Sequence, residues 1–190
     1  ELVREFKLEN VNKSGAVFDL HKLDWMNAQY LKMLAERDLP RLVALMQQDL
    51  QSRGLSFSDE YVGRVLLLIR ERITNIVDAV PFALYMFSDR TIDAEFYAKT
   101  WTPDSSDRVS AIADLCEAIP ESEFTHTRVH ETIQAFLASQ SLKFKDVANL
   151  LRLAITGVSV GAGMMDTMEV LGKERTIERL RSIRSAGTSL

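Results

Sequence analysis

The chain has 190 residues, of which 46% are hydrophobic, and its formal net charge is -4 at pH 7. This length and hydrophobic content suffice to bury one core or two small ones. The mildly acidic composition gives no general signature of a nucleic-acid-binding protein. A single cysteine, Cys116, excludes an internal disulfide and is typical of a reducing compartment. The longest apolar run, VLLLI, is too short to cross a membrane.

Apolar residues recur at helical spacing along most of the chain. The first residues, ELVREF, resemble the middle of a helix rather than a signal peptide, so we expect a chain cut from a longer protein. Helices are predicted near residues 20–34, 39–53, 62–73, 76–87, 94–100, 107–119, 129–137, 144–155 and 173–185. Ser58 is the expected N-cap before the 62–73 pattern, Pro81 should kink or break a helix, and Gly157 lies where a helix should stop. No alternating strand pattern is present, so the predicted class is all-α with short loops.

Charge is distributed unevenly along the chain. Residues 75–124 contain ten acidic and three basic residues, a local charge of -7, whereas residues 141–190 contain eight basic and five acidic residues, a local charge of +3. A polyanion would be attracted to the second region and repelled by the first. Ordinary variation of a solvated surface would produce the same pattern, and both interpretations stay open at this point.

A polar stripe leads into a segment with several glycines, NLLRLAITGVSVGAGMMDTMEVLGKERTIERL. Lys145, Asn149, Arg152 and Thr156 have the spacing i, i+4, i+7 and i+11, which places them on one helix face opposite the apolar face. Lysine and arginine bind phosphates, and asparagine and arginine can hydrogen-bond to base edges. The stripe and the loop at 157–163 therefore suggest RNA recognition. A solvated helix face followed by a flexible linker fits the spacing equally well.

Residues typical of catalysis or metal binding are scarce. His126 and His130 are spaced i, i+4 and could present two metal ligands, but no third ligand is evident and HTRVHET lacks the glutamate of a zinc-protease motif. Cys116 follows Ile112 on an apolar stripe, which favours a thiol in the core over a nucleophile. We therefore predict neither a catalytic residue nor a metal site in this chain.

Four segments resemble bacterial-type glutamyl-tRNA synthetases, which are class I aminoacyl-tRNA synthetases. KSGAVFDLHKLDWMNAQYL (Lys13–Leu31) resembles the segment after their catalytic core, where the stem-contact fold leads into the anticodon-binding region. LIRERITNI (Leu68–Ile76) resembles a helix of the first anticodon-binding subdomain. LRLAITG (Leu151–Gly157) and LGKERTIERL (Leu171–Leu180) resemble the end of these enzymes. The matches follow family order and spacing, so the chain is similar to the C-terminal part of the family.

The resemblance implies an architecture. Residues 1–36 would be the helical end of the stem-contact fold, and residues 37–90 and 91–190 would be two packed helical subdomains that form the anticodon-binding bundle. The HIGH-like motif and the KMSKS-like loop of the catalytic domain do not occur here, so the chain alone should be inactive. ATP and Mg would belong to the full-length enzyme, and no cofactor is expected in this part.

The resemblance also implies partners and a setting. The expected partner is tRNA(Glu), with no role for DNA or a membrane, and the chain is expected to be a monomer. The expected location is the cytoplasm of a bacterium, or an organelle of a eukaryote.

Arg72 matches the arginine that the resemblance assigns to the third anticodon base. Glutamate anticodons end in C and glutamine anticodons end in G, and an arginine here favours C in discriminating members of the family. A guanidinium can donate to the O2 and N3 acceptors of cytosine. A plain surface arginine beside Arg70 and Glu71 is the alternative. Helical spacing would place Arg72 at the margin of the buried stripe, near Leu68 and Ile76.

The resemblance makes Arg152 a contact of the anticodon loop. Gly161, Ala162, Gly163 and Met164 would border the bases, where glycine allows close approach and methionine offers an adaptable apolar surface. Many relatives carry proline in this loop, where this chain has GVSVGAG, so the chain departs from the family pattern at 160–163.

Weaker predictions concern further RNA contacts. These residues are Lys13, Lys145, Asn149, Thr156, Lys173 and Arg175. Arg179 and Arg181 could add phosphate attraction, and the acidic middle of the chain would then face away from the tRNA. Trp25 is instead expected in the core, together with Leu23.

Two other functions stay open from the sequence. One is a non-discriminating relative that also charges tRNA(Gln). The other is a helical protein-interaction module without an RNA role, which predicts no salt-dependent affinity for RNA.

Overall fold

The protein folds as a helical assembly, and the all-α prediction is confirmed. The structure is a computed structural model that describes residues 2–7 and 19–186. Its helices are α1 (Leu2–Glu5), α2 (Leu20–Arg37), α3 (Leu39–Ser52), α4 (Asp59–Ile69), α5 (Ala79–Phe82), α6 (Leu84–Phe87), α7 (Ala94–Thr100), α8 (Ser105–Ala118), α9 (His126–Ser139), α10 (Phe144–Thr156), α11 (Met164–Leu171) and α12 (Lys173–Ala186). Short 3₁₀ turns lie at Ile76–Asp78 and Glu121–Glu123. Within the described ranges, no helix is both long and apolar enough to cross a membrane.

Three local signals in the sequence set helix ends as expected. The hydroxyl of Ser58 accepts a hydrogen bond of 3.2 Å from the backbone N–H of Tyr61 and caps α4. Pro81 lies in α5, and the helical path breaks at Ala83 before α6 begins. Gly157 ends α10 with a left-handed φ of 78°. These predictions are confirmed.

The helix of residues 62–73 ends earlier than predicted. It stops at Ile69, and the chain turns so that the backbone N–H of Arg72 donates to the carbonyl of Ile69 at 2.7 Å. Arg72 is therefore exposed on a turn, not at the margin of a buried helical stripe. The β-branched residues Ile73 and Thr74 and the following Asn75 are poor helix formers, which explains the early end.

The structure contains a further helix, α11, in the glycine-containing segment, where the sequence analysis predicts none. Gly163 precedes it, and Gly172 follows it with a φ of 90°. The helix packs its methionine and leucine side chains into the core; its buried residues are Met164, Met165, Thr167, Met168 and Leu171. Glycines here delimit a short helix rather than interrupting regular structure.

Buried apolar side chains form one cluster that extends from Leu31 to Ile183. Helix α3 packs on α4, α4 and α9 pack on α11, and α12 packs on α8 and α10. Cys116 is fully buried in this cluster, as expected for a core thiol. The predicted boundaries at 36/37 and 90/91 stay predictions, and α4 and α11 are in contact across the second one.

The expectation for Trp25 was wrong. Its side chain is 63% exposed, because α2 buries only Leu31 and Ala35, near its C-terminal end. In the described part of the chain, no element covers the first turns of α2. Leu23 is likewise exposed.

Candidate nucleic-acid interface

The end of α10 is fixed against the segment that precedes α7. The carbonyl of Gly157 accepts a hydrogen bond of 2.9 Å from the N–H of Asp93. A Cβ atom at Gly157 would lie 2.1 Å from the carbonyl oxygen of Thr91, so the two backbones pack too closely for any side chain. The loop at 157–163 therefore leaves α10 from a defined point.

The exposed part of this loop is not the part that was predicted. Ser159 and Val160 are exposed, with Val160 at 67%, whereas Gly161 and Ala162 are buried beneath them. Gly163 is exposed again at the start of α11. No local motif marks Ser159 or Val160 as a loop tip, so the sequence reasoning missed them.

Arg152 lies under the loop. Its side chain is half-buried, and its Nη1 donates to the carbonyl oxygen of Ala162 at 3.2 Å. No carboxylate within the described ranges forms an ion pair with this guanidinium. Most of its five N–H donors are therefore not used by the protein residues described.

Tyr85 lies on the other side of the loop. It is 6% exposed, and its hydroxyl has no hydrogen-bond partner among the described residues. A Cβ atom at Gly161 would lie 3.0 Å from Nη1 of Arg152 and 3.4 Å from the hydroxyl oxygen of Tyr85. Burial raises the pKa of Tyr85, and the nearby backbone of Ala162 and the guanidinium of Arg152 offset part of that effect. Tyr85 is distant in sequence from α10, and nothing in its local sequence indicated this role.

The predicted polar stripe on α10 ends before Thr156. Thr156 is 1% exposed, and its hydroxyl oxygen lies 2.8 Å from the carbonyl oxygen of Arg152 and 3.1 Å from that of Val158, so its single hydrogen can bond to the local backbone. The stripe prediction is therefore wrong at this position, because a hydroxyl near a helix end bonds to the local backbone. Lys145 and Asn149 are exposed, as a solvated face requires.

Met164 and Ala162 are also buried, at 6% and 2% exposure. Their side chains pack into the core, so their surfaces are not open to a base in this conformation. Their contact with RNA stays a prediction, and so do the contacts of Gly161 and Gly163.

The basic residues of α12 are mostly engaged within the protein. Nη1 of Arg175 donates to the hydroxyl of Tyr61 at 3.1 Å and to the carbonyl of Met86 at 2.9 Å. Arg179 is 4% exposed, and Lys173 is half-buried. The positive charge of this region therefore does not form a free basic surface.

Part of the acidic middle of the chain contacts a basic helix. Arg181 pairs with Asp114 and Glu117 on α8, at 3.3 Å from the former. The acidic helix α8 thus packs directly on α12, and the orientation of the acidic middle away from the tRNA stays a prediction.

Arg72 is exposed at the end of α4 and has no ion-pair partner within the described ranges. Its neighbour Glu71 pairs instead with Lys32 and lies 3.9 Å from Arg70. Leu68, four residues before Arg72, lines a cavity of about 350 Å³ that Gly163 also lines. The end of α4 thus approaches the end of the glycine-containing loop.

The remaining candidates are a predicted RNA contact, Lys13, and the two histidines that were considered as metal ligands. Lys13 lies outside the described residues. His126 donates its backbone N–H to the carboxylate of Glu169, and its ring stacks on His130 with centroids 6.1 Å apart. In residues 2–7 and 19–186, no group of three or more His, Cys, Asp and Glu residues is placed to hold a metal ion.

Comparison with known proteins identifies relatives of this chain. Curated relatives include proteins named glutamate–tRNA ligase from Chlorobaculum parvum, 33% identical over 188 residues, and from Chlorobium luteolum, 32% identical over 189 residues. Each match covers 95% of this chain and 37% of the relative, so the chain spans little more than a third of their length.

A solved structure and a family model also match this chain. The crystal structure of a glutamate tRNA ligase from Elizabethkingia meningosepticum superposes with a TM-score of 0.84 at 26% identity and covers 95% of this chain and 35% of that one. The model of the family described as "Anticodon binding domain" matches residues 29–184. Because that match extends over most of the chain, the predicted family is confirmed, and the chain belongs to the anticodon-binding domain family.

Proposed function

We propose that this chain is the tRNA-binding, anticodon-recognising part of a glutamate–tRNA ligase that attaches glutamate to tRNA(Glu) using ATP. The observation that carries the proposal is the family match over residues 29–184, together with ligase relatives that match 95% of the chain. In this proposal ATP and Mg²⁺ act in another part of the longer enzyme. The protein would work in the cytoplasm, and residues 1–36, 37–90 and 91–190 would be its structural units.

Two arginines give the proposal a chemical basis. Arg72 and Arg152 both lack a carboxylate partner within the described ranges, and Arg72 is exposed on its turn. A free guanidinium binds phosphates and base acceptors in a planar arrangement. At the third anticodon position, cytosine offers acceptors to Arg72, whereas guanine presents N–H donors on the same edge. The proposed enzyme is therefore specific for tRNA(Glu).

The exposed loop tip adds a second contact surface. Val160 and Ser159 project from a loop whose base is fixed at Gly157, so their position does not have to be ordered on binding. An apolar side chain and a hydroxyl at such a tip can contact unstacked bases, which is how proteins usually recognise RNA loops.

A titration at two salt concentrations tests the proposal. The chain is mixed with a tRNA(Glu) transcript and with the same transcript carrying G in place of C at the third anticodon position, at about 50 mM and about 200 mM salt. We expect binding that weakens steeply with salt and that favours C. Binding without base preference would indicate a non-discriminating ligase that also charges tRNA(Gln). Failure to bind either RNA would contradict the proposal and favour a protein-interaction module.

A further inference from the structure

We propose that Gly161 and Tyr85 are positioning residues that hold the guanidinium of Arg152 in place for RNA. The missing side chain of Gly161 would leave a slot that Arg152 fills and that Tyr85 also borders. This inference rests on the proposed function and deepens it, because it explains how one arginine of that site is oriented.

Gly161 is required for space and not for its backbone conformation. The described glycines with positive φ are Gly54, Gly157 and Gly172, so the backbone at Gly161 is one that other residues can adopt. A methyl group there would approach Nη1 of Arg152 to 3.0 Å and the hydroxyl oxygen of Tyr85 to 3.4 Å. The space that a side chain would fill is thus bordered by these two polar groups.

Arg152 depends on the loop for its orientation. Its described hydrogen bond goes to the carbonyl of Ala162, at 3.2 Å, and Ala162 is itself buried and therefore fixed. Without a competing carboxylate among the described residues, the other N–H groups are free to bind an acceptor. An arginine held in one orientation loses less entropy on binding, which strengthens its contact.

Tyr85 provides a rigid wall for the slot. Its side chain is buried, and its carbonyl accepts a hydrogen bond of 2.6 Å from Nη2 of Arg179. Its hydroxyl has no hydrogen-bond partner within 3.5 Å among the described residues, although the backbone of Ala162 and the hydroxyl of Thr167 offset part of the rise that burial causes in its pKa. The aromatic ring forms the wall, since its Cζ would lie 4.0 Å from a Cβ atom at Gly161.

A double-mutant cycle on the 190-residue chain tests the inference. The variants are Gly161→Ala, Arg152→Ala and the pair together, with the affinity for the tRNA(Glu) transcript and the thermal midpoint measured for each. Gly161→Ala should weaken RNA binding roughly tenfold, the equivalent of one hydrogen bond to a charged group, with little change in midpoint. In the Arg152→Ala background it should cause no further loss.

Gly63→Ala on α4 is the matched control, because a methyl group there meets only ordinary contacts at 3.6 Å with Leu39 and Val43 on α3. It should leave the affinity unchanged. Wild-type affinity in Gly161→Ala, or a full additional loss in the Arg152→Ala background, would overturn the inference. Unchanged affinity in Arg152→Ala would show that Arg152 does not contribute to RNA binding and would overturn the inference. Salt-dependent binding by the starting chain would still support the proposed function.

Tyr85→Phe provides a second test if Gly161→Ala folds poorly. Removal of a buried hydroxyl that has no hydrogen-bond partner within 3.5 Å should change stability little, and it removes the oxygen that would lie 3.4 Å from the new methyl group. Tyr85→Phe should therefore restore both the midpoint and RNA binding of Gly161→Ala. If Tyr85→Phe restores neither the midpoint nor the RNA binding of Gly161→Ala, the proposed arrangement of Gly161, Tyr85 and Arg152 is contradicted.

Discussion

The guanidinium of Arg179 on α12 donates a hydrogen bond of 2.8 Å to the carbonyl oxygen of Ile155, near the end of α10. The same side chain donates to the carbonyls of Tyr85 at 2.6 Å and Ser88 at 3.0 Å. A buried cation is thus held by carbonyls at the ends of two helices, where the helix dipole favours positive charge. Through this one side chain, α12 fixes both the wall of the slot and the helix that leads into the loop.

Replacement of Arg179 by methionine should destabilise the protein strongly. The substitution leaves three carbonyl oxygens without the guanidinium, and each buried group that lacks a partner costs about 1–3 kcal/mol. We expect the free energy of unfolding to fall by roughly 3 kcal/mol or more, measured by urea denaturation followed by circular dichroism. Arg184→Met on the exposed side of α12 is the control and should change stability by less than about 0.5 kcal/mol. Equal effects of the two substitutions would contradict this prediction.

Helix ends were predictable from the sequence where one residue determines them. Ser58, Pro81 and Gly157 each act through their own backbone or through a bond to a residue a few positions away. The exposure of Trp25 was not predictable, because amphipathic spacing shows which face is apolar but not whether another element covers it. Local sequence patterns therefore predicted the ends of helices better than they predicted which side chains are buried.

Much of the candidate site was beyond sequence reasoning for the same physical reason. The approach of Tyr85 to Gly161 joins distant parts of the chain, and no local spacing encodes it. The burial of Thr156 follows from the close packing of the end of α10, although its spacing matched the polar stripe. Helical spacing placed Arg152 in the polar stripe, whereas Arg72 was identified only through a family resemblance. The anticodon contacts that the resemblance implies for both residues stay predictions.

Gly157→Ala should be far more damaging than Gly172→Ala. Both glycines have positive φ, so a Cβ strains the backbone at both positions. Gly157, with φ 78° and ψ -7°, lies in the left-handed helical region, where the strain is roughly 1–2 kcal/mol. Gly172, with φ 90° and ψ 160°, lies in a region that essentially only glycine adopts, where the strain is about 1–3 kcal/mol. At Gly157 the new methyl group would also lie 2.1 Å from the carbonyl oxygen of Thr91, whereas nothing lies within 4 Å at Gly172. The contact with Thr91 should outweigh the backbone strain at Gly172, so the excess loss at Gly157 is a lower bound on the steric cost. Equal losses would show that the segment near Thr91 gives way without cost.

The thiol of Cys116 should be inert in the folded protein. Burial raises its pKa from 9.0 to about 12, and Lys173 offsets only part of this effect. At about pH 8 we expect negligible reaction with a disulfide reagent until urea unfolds the chain, because the thiolate is the reactive form. Rapid labelling of the folded protein would contradict the burial of this side chain.

The same shift predicts a pH dependence of stability. Between pH 9.0 and about 12 the unfolded thiol ionises while the folded thiol stays protonated, so the unfolded state binds fewer protons. This group's contribution to stability is fully present below pH 9.0 and is lost as pH rises through that window. Cys116→Ala should therefore show a shallower fall in unfolding free energy than the starting chain over the same range.

Arg72→Gln should remove the preference for C at the third anticodon base with little change in stability. Arg72 is exposed, and its side chain forms no ion pair within the described ranges, so the folded chain loses no bond. Glutamine keeps a polar side chain of moderate length but has both a donor and an acceptor, so it can bond to either C or G. We expect the ratio of affinities for the two transcripts to fall from roughly tenfold towards one, the effect of one charged hydrogen bond. Arg70→Gln is the matched control, because it removes the same charge from the same turn and should lower both affinities equally. If Arg72→Gln keeps the preference, or if Arg70→Gln also abolishes it, then Arg72 does not read that base.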